Sequence, residues 1–431
     1  MIPSPSPLAR LALAACLCTL AVAARADCLL SLKTAPPDAA AFLDGAALAL
    51  KPGSNGARVA RIATGSHELI LLADGCVAER LRLEARGAEL RVEAKLEWAG
   101  SPLAFAGLGG TGPRPKSVSF TPDGSLLICP LLSGRGADLL DAKSLAWVGR
   151  LEPPERYAKH EGFVESAFLP ALGEIWVSQM HNSTIHAFDF ATHAWKASFP
   201  SGGSYPKVIA PSPDGTKVYI SNWVSEDVTV LDARSHNLIR RVKVGAIPRG
   251  LAPTADGKSV FIACFEGGSI LRLEVGSWKL STFYAADGGA KRHLVLDETR
   301  KRLYATDMSR DSLFVIDAEM GSLVAEVHIG SNPNTCALSP DGRWIYACTR
   351  GPNGAAGYEL PGPLAGELVA VDAVSLEVAY RQWGGNQPTG LAVSPDGRRL
   401  VFTDFLDKRV EVYDLGRPLA PAGGSRKGAL E

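Results

Sequence analysis

Short apolar segments alternate with polar turns along most of the chain, and each unit of this pattern has the same internal order. An apolar segment such as 208–210 leads into a Ser-Pro-Asp-Gly turn at 212–215, and a second segment rich in β-branched and aromatic residues follows. Proline presets φ for the turn and glycine accepts a positive φ, so these two segments predict a hairpin. A third segment ends in aspartate, as at Asp232, and an alternating fourth segment follows it. Each unit therefore predicts a four-stranded antiparallel sheet.

Seven copies of this unit align along the chain. Two weaker copies, at 115–130 and 162–179, precede five clear ones, which are spaced by 42, 42, 43 and 55 residues. The clear copies start at Pro206, Pro248, Ala290, Pro333 and Pro388. A period near 40 with strand-like content is typical of a β-propeller and not of a helical solenoid. The sequence thus predicts an all-β protein with a seven-bladed β-propeller over residues 99–415.

The two ends of the repeat region predict how the ring closes. The last unit stops after its third strand, at 409–414, and a strand-like segment at 102–107 precedes the first unit. If that segment supplies the missing fourth strand, both ends share one blade and no open sheet edge remains. The tail, 416–431, is rich in Gly, Pro and Ala and is predicted to be disordered.

The second strand of each unit carries a characteristic tetrad. It is Tyr-Ile-Ser-Asn at 219–222 and Tyr-Ala-Thr-Asp at 304–307. In these residues the chain resembles the YVTN-repeat propellers, of the YncE-like type found in bacterial envelopes, over roughly residues 100–415. The resemblance implies the seven-bladed fold and says little about activity, because such propellers perform many tasks.

A separate small domain is predicted over residues 27–98. Segment 35–45, followed by Gly-Ser-His at 65–67, is similar to a PEGA domain, a small β-sandwich of envelope and surface proteins, although Asp-Ala at 38–39 replaces that family's Gly-Ala. About seventy residues give a marginal core. Cys28 and Cys76 both lie in this domain, so we predict a disulfide between them in an oxidising compartment, with docking on the propeller as the alternative source of stability.

Residues 1–26 have the features of a signal peptide. Arg10 precedes an apolar run at 11–24, and Ala-Arg-Ala at 24–26 is typical of a cleavage site. The run is shorter than the roughly 20 residues that a membrane span needs. A lipid-modified Cys16 is the alternative. We predict a secreted or periplasmic monomer with no integral membrane segment after cleavage.

The overall charge of the chain gives no reason to expect a polyanionic partner. The chain has 45 Lys and Arg against 45 Asp and Glu, so its formal net charge is zero. This balance argues against a general attraction of the whole chain to nucleic acid or anionic membrane. A local basic patch can still exist in a chain with no net charge. The chain has no C-x-x-C haem or zinc motif, and we predict no cofactor.

Cationic residues recur where the first strand of each blade begins. First strands line a propeller's channel, so these positions converge at one mouth of that channel. The seven positions are Lys116, Val164, Lys207, Arg249, Lys291, Asn334 and Thr389. Four cations among seven predict an anion site, because a cleft lined by one sign of charge focuses the field. The alternative is that they pair with aspartates of neighbouring blades, such as Asp307 and Asp404.

Further polar and aromatic residues map to the same rim. Trp223 suits stacking on a ligand, Arg350 and Tyr358 belong to the longest insertion, and Gln387 offers an amide. The alternatives are that Trp223 packs between blades, that the insertion is merely tolerated, and that Gln387 belongs to a glycine-rich turn. The remaining candidates on this rim are His160, Glu161, Arg292 and His293.

These features favour an exported cell-envelope binding or scaffold protein over an enzyme. Its channel mouth would bind a polar or anionic ligand or partner: an envelope glycan, a peptide, a protein or a nucleic-acid strand. The alternative is a lactonase-like hydrolase, a class that these repeats also resemble. Such an enzyme needs a base and an electrophile that face each other. The candidates are His160, Glu161, Arg249 and His293, and no motif fixes their mutual geometry.

Overall fold

The computed structural model describes residues 27–415, except for 38, 45, 74, 75, 77, 78, 97–102 and 356. The predicted signal peptide and the predicted disordered tail lie outside the described residues. The chain divides into two compact units. The first comprises residues within 1–69 and 81–95, and the second comprises 70–80 together with the repeat region from 96 onward.

Eight strands form two four-stranded sheets in the N-terminal part of the chain. In the first sheet, β1 (Asp27–Ala35) pairs with β5 (Arg58–Ala63) in antiparallel and with β8 (Glu89–Lys95) in parallel orientation, and β4 (Lys51–Pro52) lies at the edge. The second sheet contains β2 (Ala40–Leu43), β3 (Ala46–Ala47), β6 (Gly65–Leu72) and β7 (Glu79–Ala85). These sheets are the small β-sandwich that precedes the propeller.

The predicted disulfide between Cys28 and Cys76 is not formed. Cys28 is a free thiol on β1, and its side chain is completely buried. The two cysteines belong to different compact units, since Cys28 lies in the first and Cys76 groups with the second. Alternation along β1 also places Leu30 and Leu32 on the buried face with Cys28. Cys28 therefore contributes to an apolar face instead of a covalent link.

Seven four-stranded antiparallel sheets follow, one for each copy of the repeat. The first contains β10 (Ser119–Phe120), β11 (Leu126–Pro130), β12 (Ala137–Asp141) and β13 (Trp147–Leu151). A short helix, α1 (Glu155–Ala158), precedes the second, which contains β14 (Phe163–Leu169), β15 (Glu174–Gln179), β16 (Thr184–Asp189) and β17 (Trp195–Pro200). The third contains β18 (Pro206–Pro211), β19 (Lys217–Asn222), β20 (Asp227–Asp232) and β21 (Leu238–Lys243).

The remaining four blades repeat this order. The fourth contains β22 (Pro248–Pro253), β23 (Ser259–Cys264), β24 (Ile270–Glu274) and β25 (Leu280–Tyr284). The fifth contains β26 (Lys291–Asp297), β27 (Arg302–Asp307), β28 (Ser312–Asp317) and β29 (Leu323–His328). The sixth contains β30 (Pro333–Leu338), β31 (Trp344–Thr349), β32 (Glu367–Asp372) and β33 (Val378–Trp383). The seventh contains β34 (Pro388–Val393), β35 (Arg399–Asp404), β36 (Arg409–Asp414) and β9 (Ala104–Gly110).

The ring closes through the seventh blade as the sequence predicts. Strand β9 precedes the first blade in the chain but pairs in antiparallel orientation with β36, from Arg409–Gly110 to Asp414–Ala104. The strand begins and ends slightly later than the predicted segment 102–107, of which residue 102 lies outside the described part of the chain. Both ends of the repeat region therefore contribute to one sheet.

The apolar core of the propeller lies between blades. In the described residues, each of seven apolar clusters combines side chains from two consecutive blades. Tyr346 of the sixth blade and Phe402 of the seventh share one cluster, and Val410 of the seventh and Leu127 of the first share another. Because close-packed interiors resist displacement, this arrangement holds the first strand of each blade in a defined position.

Candidate functional site

In six blades, the second to the seventh, the first strand begins with the same pairing irregularity. In the third blade Pro206 pairs with Asn222, and the next regular pair is Ile209 with Ile220, so two residues lie opposite one. A shift at the same place occurs in the second, fourth, fifth, sixth and seventh blades. Such bulges re-aim side chains. First strands of consecutive blades also lie next to one another around the ring. The residues at the bulge are therefore displayed at one end of the channel.

The structure corrects the alignment of the fifth repeat by one residue. Lys291, and not Ala290, pairs with the last residue of the second strand, Asp307, as Pro206 does in the third blade. Lys291 is consequently completely buried, and its Nζ lies 3.0 Å from Asp307 Oδ2. The ion pair that the sequence offered as an alternative thus forms here, within one blade. Arg292 takes the position at the mouth that we had assigned to Lys291.

In each blade, one residue directly follows the first paired residue of the first strand. We call these seven residues together the inner ring. A backbone hydrogen bond supports the equivalence of all seven positions. In each blade, the N–H of the residue that follows the second strand donates to the carbonyl of the residue two positions before the ring residue. Trp223 N donates to Tyr205 O at 2.9 Å, and Met308 N donates to Ala290 O at 3.0 Å. The inner ring consists of Lys116, Val164, Lys207, Arg249, Arg292, Asn334 and Thr389.

Hydroxyl groups of the tetrad fix the backbone of the inner ring. Ser221 Oγ donates to the carbonyl of Arg249 at 2.7 Å, and Thr306 Oγ1 donates to that of Asn334 at 2.7 Å. Both hydroxyls belong to the third residue of their tetrad, and each reaches the following blade. The tetrad therefore positions the ring residue of its neighbour.

Five cations meet at this mouth. We call them the basic cluster: Lys116, Lys207, Arg249, Arg292 and Arg350. Four belong to the inner ring, and Arg350 directly follows β31 at the start of the long insertion. Lys207, Arg249 and Arg350 are only 9%, 7% and 5% exposed. Within the described part of the chain, none of the five forms a salt bridge with a carboxylate.

The basic cluster is contacted by aromatic rings and amides instead. The ring of Trp223 lies 5.4 Å from Lys207 Nζ and 5.0 Å from the Arg249 guanidinium. The ring of Tyr358, on the insertion, lies 4.3 Å from Arg350 and 5.7 Å from Lys116 Nζ. Cation–π contacts stabilise a charge by about 0.5–2 kcal/mol without neutralising it. These ring and amide contacts therefore leave the positive charge of the cluster in place.

Burial and mutual repulsion lower the pKa values of these groups. Burial, and then the charges of Arg292 and Arg350, hold the pKa of Lys116 well below its ordinary value. Lys207 has a lowered pKa because of burial and the nearby Arg249. For Arg249 the pKa falls to about 10, chiefly through burial. Such shifts mark groups whose charged form is held at a cost.

One carboxylate that sequence reasoning missed lies among the cations. Glu165 follows Val164 on β14, and burial raises its pKa even though Arg249, Arg292 and Lys116 oppose that shift. His293, which we predicted, also lies close: burial and the charges of Arg292 and Arg249 lower its pKa to about 4. The second repeat lacks the Pro-Asp-Gly turn, so its alignment was weak. Counting one residue beyond the ring position would have found Glu165.

Two buried hydrogen-bond donors at the mouth have no partner. Asn334 is 1% exposed, and its Oδ1 accepts from Arg292 Nε, but its Nδ2 has no partner within the described chain. Arg350 Nε donates to Gln387 Oε1 at 2.8 Å, whereas its Nη2 is also without a partner among the described residues. An unsatisfied buried donor costs about 1–3 kcal/mol, and native structures keep few of them. Both donors suit a ligand acceptor.

The structure brings most of the predicted residues together and leaves three elsewhere. Inside the group lie Lys116, Lys207, Trp223, Arg249, Arg292, His293, Asn334, Arg350 and Gln387. Lys291 lies within its blade. His160 and Glu161 are exposed after α1, where the carbonyl of His160 accepts from Gln179 Nε2 at 2.6 Å. Of the predicted hydrolase residues, only Arg249 and His293 are neighbours.

No group of three or more His, Cys, Asp or Glu side chains among the described residues is arranged to hold a metal ion. In the same part of the chain, no helix has the length and apolarity needed to cross a membrane. The donors that converge at the mouth are those that bind oxyanions.

The chain is similar in sequence to a known antigen and in fold to a solved structure. No family model matches the chain. Antigen Lp49 of Leptospira interrogans serogroup Icterohaemorrhagiae serovar copenhageni (strain Fiocruz L1-130) is 40% identical over 314 residues, which cover 70% of this chain and 68% of the antigen. Among solved structures, Kuenenia stuttgartiensis hydrazine synthase aligns with a TM-score of 0.59 and 17% identity over 70% of this chain and 96% of that one. At this identity the second likeness concerns the fold alone.

Proposed function

The chain belongs to the family of Antigen Lp49, and from this premise we propose that it is an extracytoplasmic binding protein whose propeller binds an anionic ligand at the inner ring. A relative named as an antigen is compatible with an envelope location. The apolar run and cleavage-like site at 1–26 support export, and the tetrads and the 35–45 segment support a YVTN-type propeller with a PEGA-like domain.

One observation carries the proposal: five cations are gathered and largely buried at one mouth without a carboxylate salt bridge among the described residues. Burying a charge is costly unless a partner compensates it. In the rest of the propeller such partners exist, as Asp307 does for Lys291. A bound anion would supply the missing compensation and would accept from the unpartnered donors of Asn334 and Arg350.

The donor set favours an oxyanion such as a phosphate or carboxylate group. Arginine presents a planar fork that matches two oxygens of such a group, and lysine adds a point charge. Three arginines and two lysines are available here, and the raised pKa of Glu165 favours its neutral form, which does not repel an anion, more than in an ordinary glutamate. The ligand class is thus set by charge and hydrogen-bond geometry together.

Isothermal titration calorimetry with inorganic phosphate at pH 7.5 and fixed ionic strength tests the proposal. We expect saturable binding to the wild type and at least tenfold weaker binding to Arg249→Gln, because the variant loses a charge and two donors at the mouth. The matched control is Arg240→Gln, which removes an exposed arginine from β21 and should bind phosphate like the wild type. Absence of phosphate binding to the wild type, or equal weakening in both variants, would contradict the proposal.

A further inference from the structure

A second ring of residues surrounds the inner ring at the same mouth. It consists of the residue that follows the second strand of each blade, whose N–H donates to the carbonyl two positions before the ring residue. We call it the collar. It comprises Leu132, Met180, Trp223, Phe265, Met308 and Phe405, with Arg350 in the sixth blade. Six of the seven positions are therefore large and apolar, directly beside a cluster of cations.

The collar is only partly covered. The insertion lies over one side, where the Tyr358 ring is 6.1 Å from that of Phe405, and Leu132 and Phe405 are buried. On the other side, Met180, Trp223, Phe265 and Met308 are half-buried and belong to four consecutive blades. These four residues form an apolar arc that stays partly open to solvent; we call it the open arc.

The open arc directly contacts the cations. Met180 Sδ lies 2.7 Å from Lys207 Nζ, and Met308 Sδ lies 3.7 Å from Arg292 Nη1. The ring of Trp223 contacts that of Phe265, with centroids 4.9 Å apart. An anionic group held by Lys207 or Arg292 therefore has apolar surface immediately beside it.

This juxtaposition distinguishes between classes of anion. A bare inorganic ion or a polyhydroxylated sugar phosphate gains nothing from the open arc, whereas an apolar or aromatic group gains about 25 cal/mol for each Å² that it removes from water. Methionine and aromatic side chains also adapt to varied apolar shapes. We propose, on the basis of the binding function above, that the ligand is an amphiphilic anion. Its oxyanion head is held by the basic cluster and its apolar body lies on the open arc.

Calorimetry with phenyl phosphate, inorganic phosphate and phenol at pH 7.5 tests this inference. We expect phenyl phosphate to bind at least tenfold more tightly than inorganic phosphate, and phenol to bind far more weakly than phenyl phosphate. Equal affinities for phenyl phosphate and inorganic phosphate would overturn the amphiphilic ligand and leave the anion site intact. If neither anion binds, the proposed function itself fails.

Variants of the open arc separate the two parts of the ligand. Phe265→Ala should remove most of the phenyl advantage, measured as the ratio of the phenyl phosphate affinity to the inorganic phosphate affinity of the same variant, whereas Phe265→Leu, which keeps apolar surface, should retain part of it. Met320→Ala is the matched control, because Met320 is 79% exposed and lies outside the collar. A Phe265→Ala protein that melts like the wild type and keeps the full phenyl advantage would overturn the inference.

Discussion

Lys291 and Arg292 are consecutive residues of β26, yet one cation is paired and the other is not. Lys291 is completely buried inside the fifth blade with the carboxylate of Asp307. Arg292 has an amide and a thioether within reach, and its charged neighbours at the mouth are Arg249, Arg350 and Glu165. The same protein therefore treats two adjacent cations in opposite ways.

Pairing inside the blades is the general pattern of this propeller. Buried or half-buried carboxylates near the start of the third strand pair with arginines of the fourth strand in the first, third and sixth blades: Asp138–Arg150 (2.7 Å), Asp227–Arg241 (2.6 Å) and Glu367–Arg381 (3.1 Å). In the seventh blade Arg409 pairs with Asp404 at 2.8 Å. Since the fold satisfies its structural charges so consistently, the unpaired cluster at the mouth is better explained by binding than by folding.

The largest expected effect is on the paired charge. Asp307→Ala leaves Lys291 buried without its partner, so we expect the free energy of unfolding to fall by about 3–5 kcal/mol. Arg249→Gln removes a charge that the neighbouring cations repel, and it should change the free energy of unfolding by no more than about 1 kcal/mol. Urea denaturation of both variants measures the contrast. Similar losses in the two proteins would remove the distinction between structural and binding cations.

An intermediate effect is expected from pH on anion affinity. Sulfate stays doubly charged between pH 6 and 9, so any change in its affinity over that range reports the protein. The raised pKa of Glu165 and the lowered pKa values of Lys116 and Lys207 move the titration of all three groups towards this range. Loss of a proton from any of them makes the mouth less positive, so sulfate should bind several-fold more weakly at pH 9 than at pH 6.

Replacing the carboxyl group tests the origin of that pH dependence. Glu165→Gln cannot ionise, so calorimetry should find a flatter pH profile and tighter sulfate binding at pH 9 than for the wild type. A profile as steep as that of the wild type would assign the whole effect to the lysines. An affinity that rises with pH in the wild type would contradict the placement of these groups around the anion.

The smallest expected effect concerns the hydroxyl that holds a ring residue in place. Ser221→Ala removes the hydrogen bond that Ser221 Oγ donates to the carbonyl of Arg249 and the one that it accepts from the N–H of Val208, which together should cost about 1–2 kcal/mol of unfolding free energy. Ser221→Thr keeps the hydroxyl, as Thr306 does in the fifth blade, and should stay close to the wild type. Chemical denaturation measures both. A loss above about 3 kcal/mol in the alanine variant would show that the tetrad serves the core more than the mouth.

The amino-acid sequence by itself determined the number of blades and the way the ring closes. Its strand-and-turn pattern recurs with a nearly constant period, and a strand-like segment ahead of the first repeat completes the last sheet. These features depend on local hydrogen bonding and on alternating burial, which successive residues encode directly. The same reasoning placed Lys207, Arg249 and Arg350 near one another, because equivalent positions of a ring must converge.

Only the tertiary structure decided which charges are paired and which lie at the mouth without a carboxylate salt bridge. Side chains alternate across a strand, so an error of one residue in the fifth repeat exchanged the paired Lys291 for the arginine that lies at the mouth. The Cys28–Cys76 disulfide failed for a related reason, since membership of one sequence segment does not bring two thiols within bonding distance. Glu165 and the collar likewise follow from contacts between blades, and such distances are fixed by packing across the ring and not by neighbours in the chain.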